Sequence, residues 1–211
     1  MLDISRINST SKYRLLSANS VGTAQDFGLL TFSFNIFKKG FEIATERKIS
    51  APQNSQLEKF IAVYQDLNTL KSFCAEGNLN GNSYDLKASL VRGKIKMKAN
   101  FGQEHKSHSV RFPKQFVENN TFPYILPWLL NKELELSLPV FIPALAAFSE
   151  TKIIVYPHTE NVDVPAGSFD CYRIKLETQG SINASQFLVF CRKNQRLIKG
   201  TTGNLIFELI N

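Results

Sequence analysis

Residues 84–101 read YDLKASLVRGKIKMKANF, and the alternation on either side of Arg92-Gly93 decides the fold class. Tyr84, Leu86, Ala88 and Leu90 alternate with Asp85, Lys87 and Ser89. After the turn, Ile95, Met97, Ala99 and Phe101 alternate with Lys94, Lys96, Lys98 and Asn100. A period of two is the signature of a strand whose faces differ in polarity. Glycine takes positive φ without steric penalty, so Arg92-Gly93 suits a two-residue hairpin loop. Setting Val91 opposite Lys94 places Leu90 against Ile95, Ala88 against Met97, Leu86 against Ala99 and Tyr84 against Phe101. The apolar residues then share one face, and a slip of one residue would scatter them. One-sided burial of this kind marks an antiparallel sheet.

The same test works upstream. Leu30, Phe32, Phe34 and Ile36 alternate with Thr31, Ser33 and Asn35, and Lys39-Gly40 supplies a turn. Pairing Lys38 with Phe41 predicts Ile36 opposite Ile43, Phe34 opposite Thr45 and Leu30 opposite Ile49. The other face then pairs Phe37 with Glu42, Ser33 with Glu46 and Thr31 with Lys48. Arg47 breaks the pattern by landing on the apolar face, opposite Phe32. Its stem suits the sheet edge, and its guanidinium is a candidate contact for a ligand headgroup. Downstream, Val164-Pro165-Ala166-Gly167 signals a third hairpin, because proline presets φ at the second turn position. Gln179-Gly180-Ser181, Lys193-Asn194-Gln195 and Thr202-Gly203-Asn204 punctuate further strands. Leu57–Phe73 fits both a helix and a strand, and the strand is favoured. Turns at this spacing predict a sandwich or barrel-like sheet.

Residues 121–149, TFPYILPWLLNKELELSLPVFIPALAAFS, interrupt the pattern with Pro123, Pro127, Pro139 and Pro143. Helices here must be short. Asn120 or Thr121 is placed to cap the first, with Pro123 in its opening turn, and Pro143 to start a second turn. The expected organisation is one β-rich domain over 1–211, with an irregular segment over 1–20 and a helical or irregular cover over 119–149. The cover reads either as an apolar plug on the sheet or as a lid over a cavity.

Composition narrows the function classes. The chain has 211 residues, 43% apolar and 20% charged, as in globular proteins. Its net charge is +7, yet the lysines are scattered and no nucleic-acid recognition consensus is present. No run of 18 or more apolar residues occurs, so no helical span is expected. Met1–Ser20 lacks a signal-peptide core. There is no nucleophile elbow, phosphate loop or dinucleotide fingerprint, so neither an enzyme nor a cofactor is expected. His105 and His108, three apart, fall on opposite faces of a strand, which argues against a metal. Cys74 reads as a small buried apolar residue. Cys171 and Cys191 flank the 179–181 turn symmetrically and would sit opposite one another. A cross-strand disulfide and two reduced neighbours are both open, the second being favoured.

Four segments, ENNTFPYILPWLL (118–130), VDVPAGSFDCYRIKLET (162–178), FCRKNQRLIKGTTGNLIFELI (190–210) and, more weakly, YQDLNTLKSFCAEG (64–77), resemble a family of exported bacterial domains of unknown function. That resemblance implies a lipoprotein-carrier-like (LolA/LolB-like) fold. The expected class is therefore mainly β: a curved antiparallel sheet, an open half-barrel or barrel-like meander, with one or two short helices on its concave face. The resemblance also implies a place in the periplasm or outer membrane and a lipid or other hydrophobic ligand. Phe32, Phe34, Phe122, Trp128, Leu129, Phe141 and Phe148 are the candidate apolar contacts, with Arg47 at the headgroup. The alternative is a structural or assembly module with a filled core, acting through an envelope protein partner.

Overall fold

The alternating segment 84–101 forms the hairpin its pattern dictates, with Leu90 paired to Ile95, Ala88 to Met97, Leu86 to Ala99 and Tyr84 to Phe101. Arg92 and Gly93 both take positive φ, as a type I′ loop requires. The structure is a computed structural model that describes residues 9–18, 24–51, 54–67, 69–79, 81–130 and 133–211.

Eight strands run in order from the middle of the sheet to one edge: β1 (Ser9–Ala18), β2 (Ala24–Phe37), β3 (Gly40–Ala51), β4 (Asn54–Asp66), β5 (Thr69–Leu79), β6 (Asn82–Val91), β7 (Lys94–Phe101) and β8 (Glu104–Arg111). Residues 112–116 then carry the chain to the opposite edge of the sheet, which is β9 (Val117–Glu118), and α1 (Phe122–Leu130) follows. From there β10 (Glu135–Ile142), β11 (Ala147–Val164), β12 (Gly167–Gly180), β13 (Ala184–Cys191), β14 (Leu197–Thr202) and β15 (Leu205–Leu209) return to the middle, where β15 pairs with β1. Among the described residues the result is one open, curved sheet of 15 strands, antiparallel except where β9 meets β10. At the β1–β15 seam, Arg14 and Lys199 both bond Glu208, Lys199 at 2.6 Å. Burial raises the Glu208 carboxyl, but these two cations outweigh it and hold the group below its ordinary range.

Helix α1 is apolar all round, so it must be buried, and it is. Ile125 and Leu126 are fully enclosed, Tyr124 stacks on Phe32 at 4.0 Å, and Trp128 meets Phe34 at 6.3 Å. Across the same concave space Phe73 of β5 reaches Phe141 of β10 at 5.7 Å. The interior is thus a continuous aromatic core shared by both halves of the sheet.

Three expectations need correction. Residues 9–18, expected to be irregular, are β1; the rest of the 1–20 segment lies outside the described residues. Residues 135–142 are a strand within the expected 119–149 cover, and Pro143–Leu145 form a 3₁₀ turn after it. The 57–73 segment is strand, as its pattern favours, split between β4 and β5. The 30–49 hairpin is displaced by two residues: Phe37 pairs with Gly40, Phe34 with Ile43, Phe32 with Thr45, and Leu30 with Arg47. On its outer face Asn35 meets Glu42, Thr31 meets Glu46 and Leu29 meets Lys48. The loop is Lys38-Lys39, and Gly40 opens β3 at φ +140°. A Cβ on Gly40 would stand 2.0 Å from the Tyr64 carbonyl oxygen. The glycine is therefore spent on a close approach of backbones, not on the turn. Because the displacement is even, every side chain keeps its expected face.

Gly40→Ala is expected to destabilise the fold by at least about 2 kcal/mol, since backbone strain and a backbone clash act together. Urea unfolding monitored by tryptophan fluorescence checks this; an unchanged midpoint would remove Gly40 as the reason for the register.

Candidate functional site

One cross-strand row on the concave face builds a polar cluster. Its members, in order across β2 to β7, are Leu30, Arg47, Glu58, Gly77, Tyr84 and Phe101. Gly77 has no side chain, so the Tyr84 ring leans over it. A Cβ there would stand 2.8 Å from that ring and 2.7 Å from the Leu57 carbonyl. Tyr84 donates its phenol proton to one oxygen of Glu58, while Arg47 donates to the other. Burial, then the Glu58 carboxylate, push the Tyr84 phenol up, so it stays a donor.

The next row inward alternates large and small: Phe32, Thr45, Phe60, Ala75, Leu86 and Ala99. Where Thr45 and Ala75 stand, the sheet surface is hollow. Between these rows lies a cavity of about 430 Å³. Phe60, Leu86 and Phe101 give it an apolar wall, Arg47, Glu58 and Tyr84 a polar one, and Asn120, Pro143 and Ala144 its roof. Deeper, Phe60 packs on Phe73, and the aromatic core closes the back.

The roof is held by a buried carboxylate. The Asn120 amide and side chain each donate to Glu118 Oε1 at 2.8 Å, and the Thr121 amide and hydroxyl to Oε2 at 3.1 Å. Because Thr121 spends its hydroxyl proton on Glu118, Tyr64 must donate to Thr121, at 2.7 Å. The Thr121 side chain therefore belongs to this network and not to a helix cap. Burial pushes the Glu118 carboxyl up to about 7 against the pull of its four donors.

The structure separates the sequence-derived candidates. Arg47 lines the cavity. Phe32, Phe34, Phe122 and Phe141 are buried, and Trp128, Leu129 and Phe148 pack against the same core. Phe34 stacks on Phe41, and Phe148 lies against Phe141 at 5.0 Å and Phe116 at 5.3 Å. These seven side chains pack against protein, although Phe32 and Trp128 also edge a smaller hollow of about 310 Å³ beside Tyr13. Sequence reasoning missed Glu58, Gly77, Tyr84 and Glu118. A signal existed for Glu58: it shares parity with Phe60, Ala62 and Tyr64, so it is a charge on the apolar face of β4, as Arg47 is on β3. Outside the concavity, Lys87, Lys94, Lys96, Lys98 and Arg111 share the outer face of β6–β8, with Lys87 opposite Lys98 and Lys94 opposite Arg111. His105 pairs with Asn100 and His108 with Met97, on opposite faces.

No protein-family model and no curated protein matches this sequence. Among solved structures, the fold is similar to the crystal structure of a beta-barrel-like protein of domain of unknown function DUF1849 from Brucella abortus. The two share a TM-score of 0.66 and 10% identity over 96% of this chain and 95% of that one. At that identity the likeness establishes the fold: a barrel-like, mainly antiparallel sheet also found in a bacterial domain of unknown function.

A group whose folded pKa lies above its unfolded value lends stability at low pH that is lost as pH rises. For Glu118 that window runs from the ordinary carboxylate range up to about 7. The urea midpoint of the wild type is expected to fall across this window, and that of Glu118→Gln to lose this component, because a neutral amide has no proton to release there. Equal slopes for the two proteins would mean that Glu118 does not titrate there.

Proposed function

We propose that this protein is a non-enzymatic carrier or sensor of an amphipathic, lipid-like molecule in the bacterial envelope, held in the cavity between the Arg47–Glu58–Tyr84 row and the Phe60–Leu86 row. The observation that carries this reading is the two-sided lining of that cavity. Its volume, about 430 Å³, falls in the range of small-molecule sites. An apolar tail against Phe60, Leu86 and Phe101 gains about 0.8 kcal/mol per buried CH₂. Glu58 matches the charge of Arg47, so the polar wall offers a donor and an acceptor side by side. This favours a head that both donates and accepts, such as an amide, a hydroxylated or a zwitterionic group, over a bare anion. The lipoprotein-carrier resemblance of the sequence supports both the concave binding face and the envelope setting.

A fluorescent probe with an alkyl tail and an amide-linked, environment-sensitive head tests the idea. Wild type is expected to bind one probe per chain, saturably. Leu86→Trp, which fills the hollow, is expected to weaken binding at least tenfold. Trp128→Ala, whose site lies elsewhere in the core, is expected to leave the affinity unchanged. Absence of saturable binding, or binding indifferent to Leu86→Trp, would sink the proposal.

A second reading, an assembly module acting through a protein partner, draws on β8. Its side chains are almost all exposed and it ends the sheet, so its outer backbone is placed to add a partner strand. Leu86→Trp separates the two readings, because filling the cavity leaves the β8 edge intact.

A further inference from the structure

Cys171 and Cys191 are directly paired across β12 and β13. The backbone bonds around them fix which kind of pair this is. The Arg192 amide donates to the Asp170 carbonyl at 2.9 Å, one residue beyond the pair on each strand. The Cys191 amide and carbonyl turn the other way, the amide donating to Arg196 at 2.8 Å and the carbonyl accepting from Gln195 at 2.9 Å. A rung flanked by its bonds in this way is a non-hydrogen-bonded pair, in which the Cα atoms stand about 4.5 Å apart and the side chains are closest. That separation lies inside the range a disulfide spans. Both thiols are free in the structure, Cys171 fully buried and Cys191 6% exposed.

The two sulfurs differ in access. Cys191 lines a surface hollow with Phe169, Arg192 and Lys193. Cys171 lies beneath it, where burial, then Cys191, Asp170 and Glu160, push its thiol up to about 12. The less deeply buried sulfur, whose hollow also holds Arg192 and Lys193, is the one an anionic disulfide can reach.

We propose that Cys171 and Cys191 form an oxidative cross-linking site that takes a small disulfide donor of the glutathione class. The Cys191 thiolate attacks one donor sulfur, the donor S–S bond breaks, and one donor thiolate leaves. The Cys171 thiol loses its proton to solvent and attacks Cys191 Sγ, expelling the second donor thiolate. Two protein thiols are oxidised and one donor disulfide is reduced to two thiols. The new bond closes the open end of the β12–β13 hairpin, beside the contact between Tyr172 and Gln195 at 2.5 Å. Cys74 pairs with Ile61 and Lys87 and has no cysteine neighbour on β4 or β6.

The folded, reduced protein should be incubated with oxidised glutathione, quenched in acid, alkylated under denaturing conditions and mapped by mass spectrometry. The expected map joins the Cys171 and Cys191 peptides with loss of two hydrogens and leaves Cys74 alkylated. In Cys171→Ser, Cys191 is expected to carry a persisting glutathione adduct, because no resolving sulfur remains. Alkylation of both Cys171 and Cys191 in the oxidised wild type would overturn the site. A glutathione adduct on Cys171 in Cys191→Ser that forms as fast as that on Cys191 in Cys171→Ser would overturn the order of attack.

Discussion

The constraint on which this structure depends is topological. The first and last strands, β1 and β15, pair in the middle of the sheet, so the chain runs out to one edge at β8 and must reach the other at β9 before it can return. Residues 112–116 make that step, and α1 follows β9. The chain cannot pass through the sheet, and α1 crosses the concave side, where both halves of the sheet present apolar faces. The composition of this stretch follows from that path. Phe116, Val117, Phe122, Ile125 and Leu126 are buried because everything they pass is apolar, and α1 is apolar around its whole circumference for the same reason. A polar crossing would leave the inner faces of β2–β5 and β10–β13 wet. The helix therefore contributes to stability mainly by what it covers.

The crossing also determines where a cavity can exist. Beneath α1 the space is filled by stacked rings from β2, β3 and β4. Farther along β3 to β7 the helix no longer reaches, and the roof passes to Asn120 and the turn at Pro143. There the row that alternates Phe60 and Leu86 with Thr45 and Ala75 meets no covering side chain of comparable size, and a hollow remains. Glu118 secures that boundary. Its four donors come from Asn120 and Thr121, so the carboxylate shapes the backbone between β9 and α1. Placing a charge there is unfavourable in itself, which explains why its proton affinity rises although each hydrogen bond acts to lower it.

Parity in the sequence was more informative than register. The two-residue displacement of the 30–49 hairpin moved every pair yet left every face in place, because the side-chain period in a strand is two. Phe34 and Ile43 lie on the concave face in either register. What parity could not supply was the identity of Arg47's neighbours, since those depend on the true rung. The strand at 135–142 was hidden by Pro139, which argues against a central strand. It is tolerated because β9 pairs with β10 only at Val140 and Phe141, leaving β10 an edge at Pro139. The candidate ligand residues are large apolar side chains of β2 and of the 119–149 segment that covers it. Those are the ones that fill space, and in the structure they pack on each other.

A binding hollow in a sheet of this kind needs the opposite residues, small ones between large ones, and polar groups that break the apolar face. Gly77 is the clearest case. It looks like a weak point in a strand, because a glycine there packs nothing. In the row it occupies, its missing side chain is what lets Tyr84 cross to Glu58, and so what joins three polar groups from β3, β4 and β6 into one wall. The charge of Arg47 is then compensated before any ligand arrives, which removes the penalty of an unpaired cation beside an apolar surface. The same pairing lowers the attraction of the wall for a simple anion and leaves hydrogen-bond complementarity, not net charge, to select what the hollow holds.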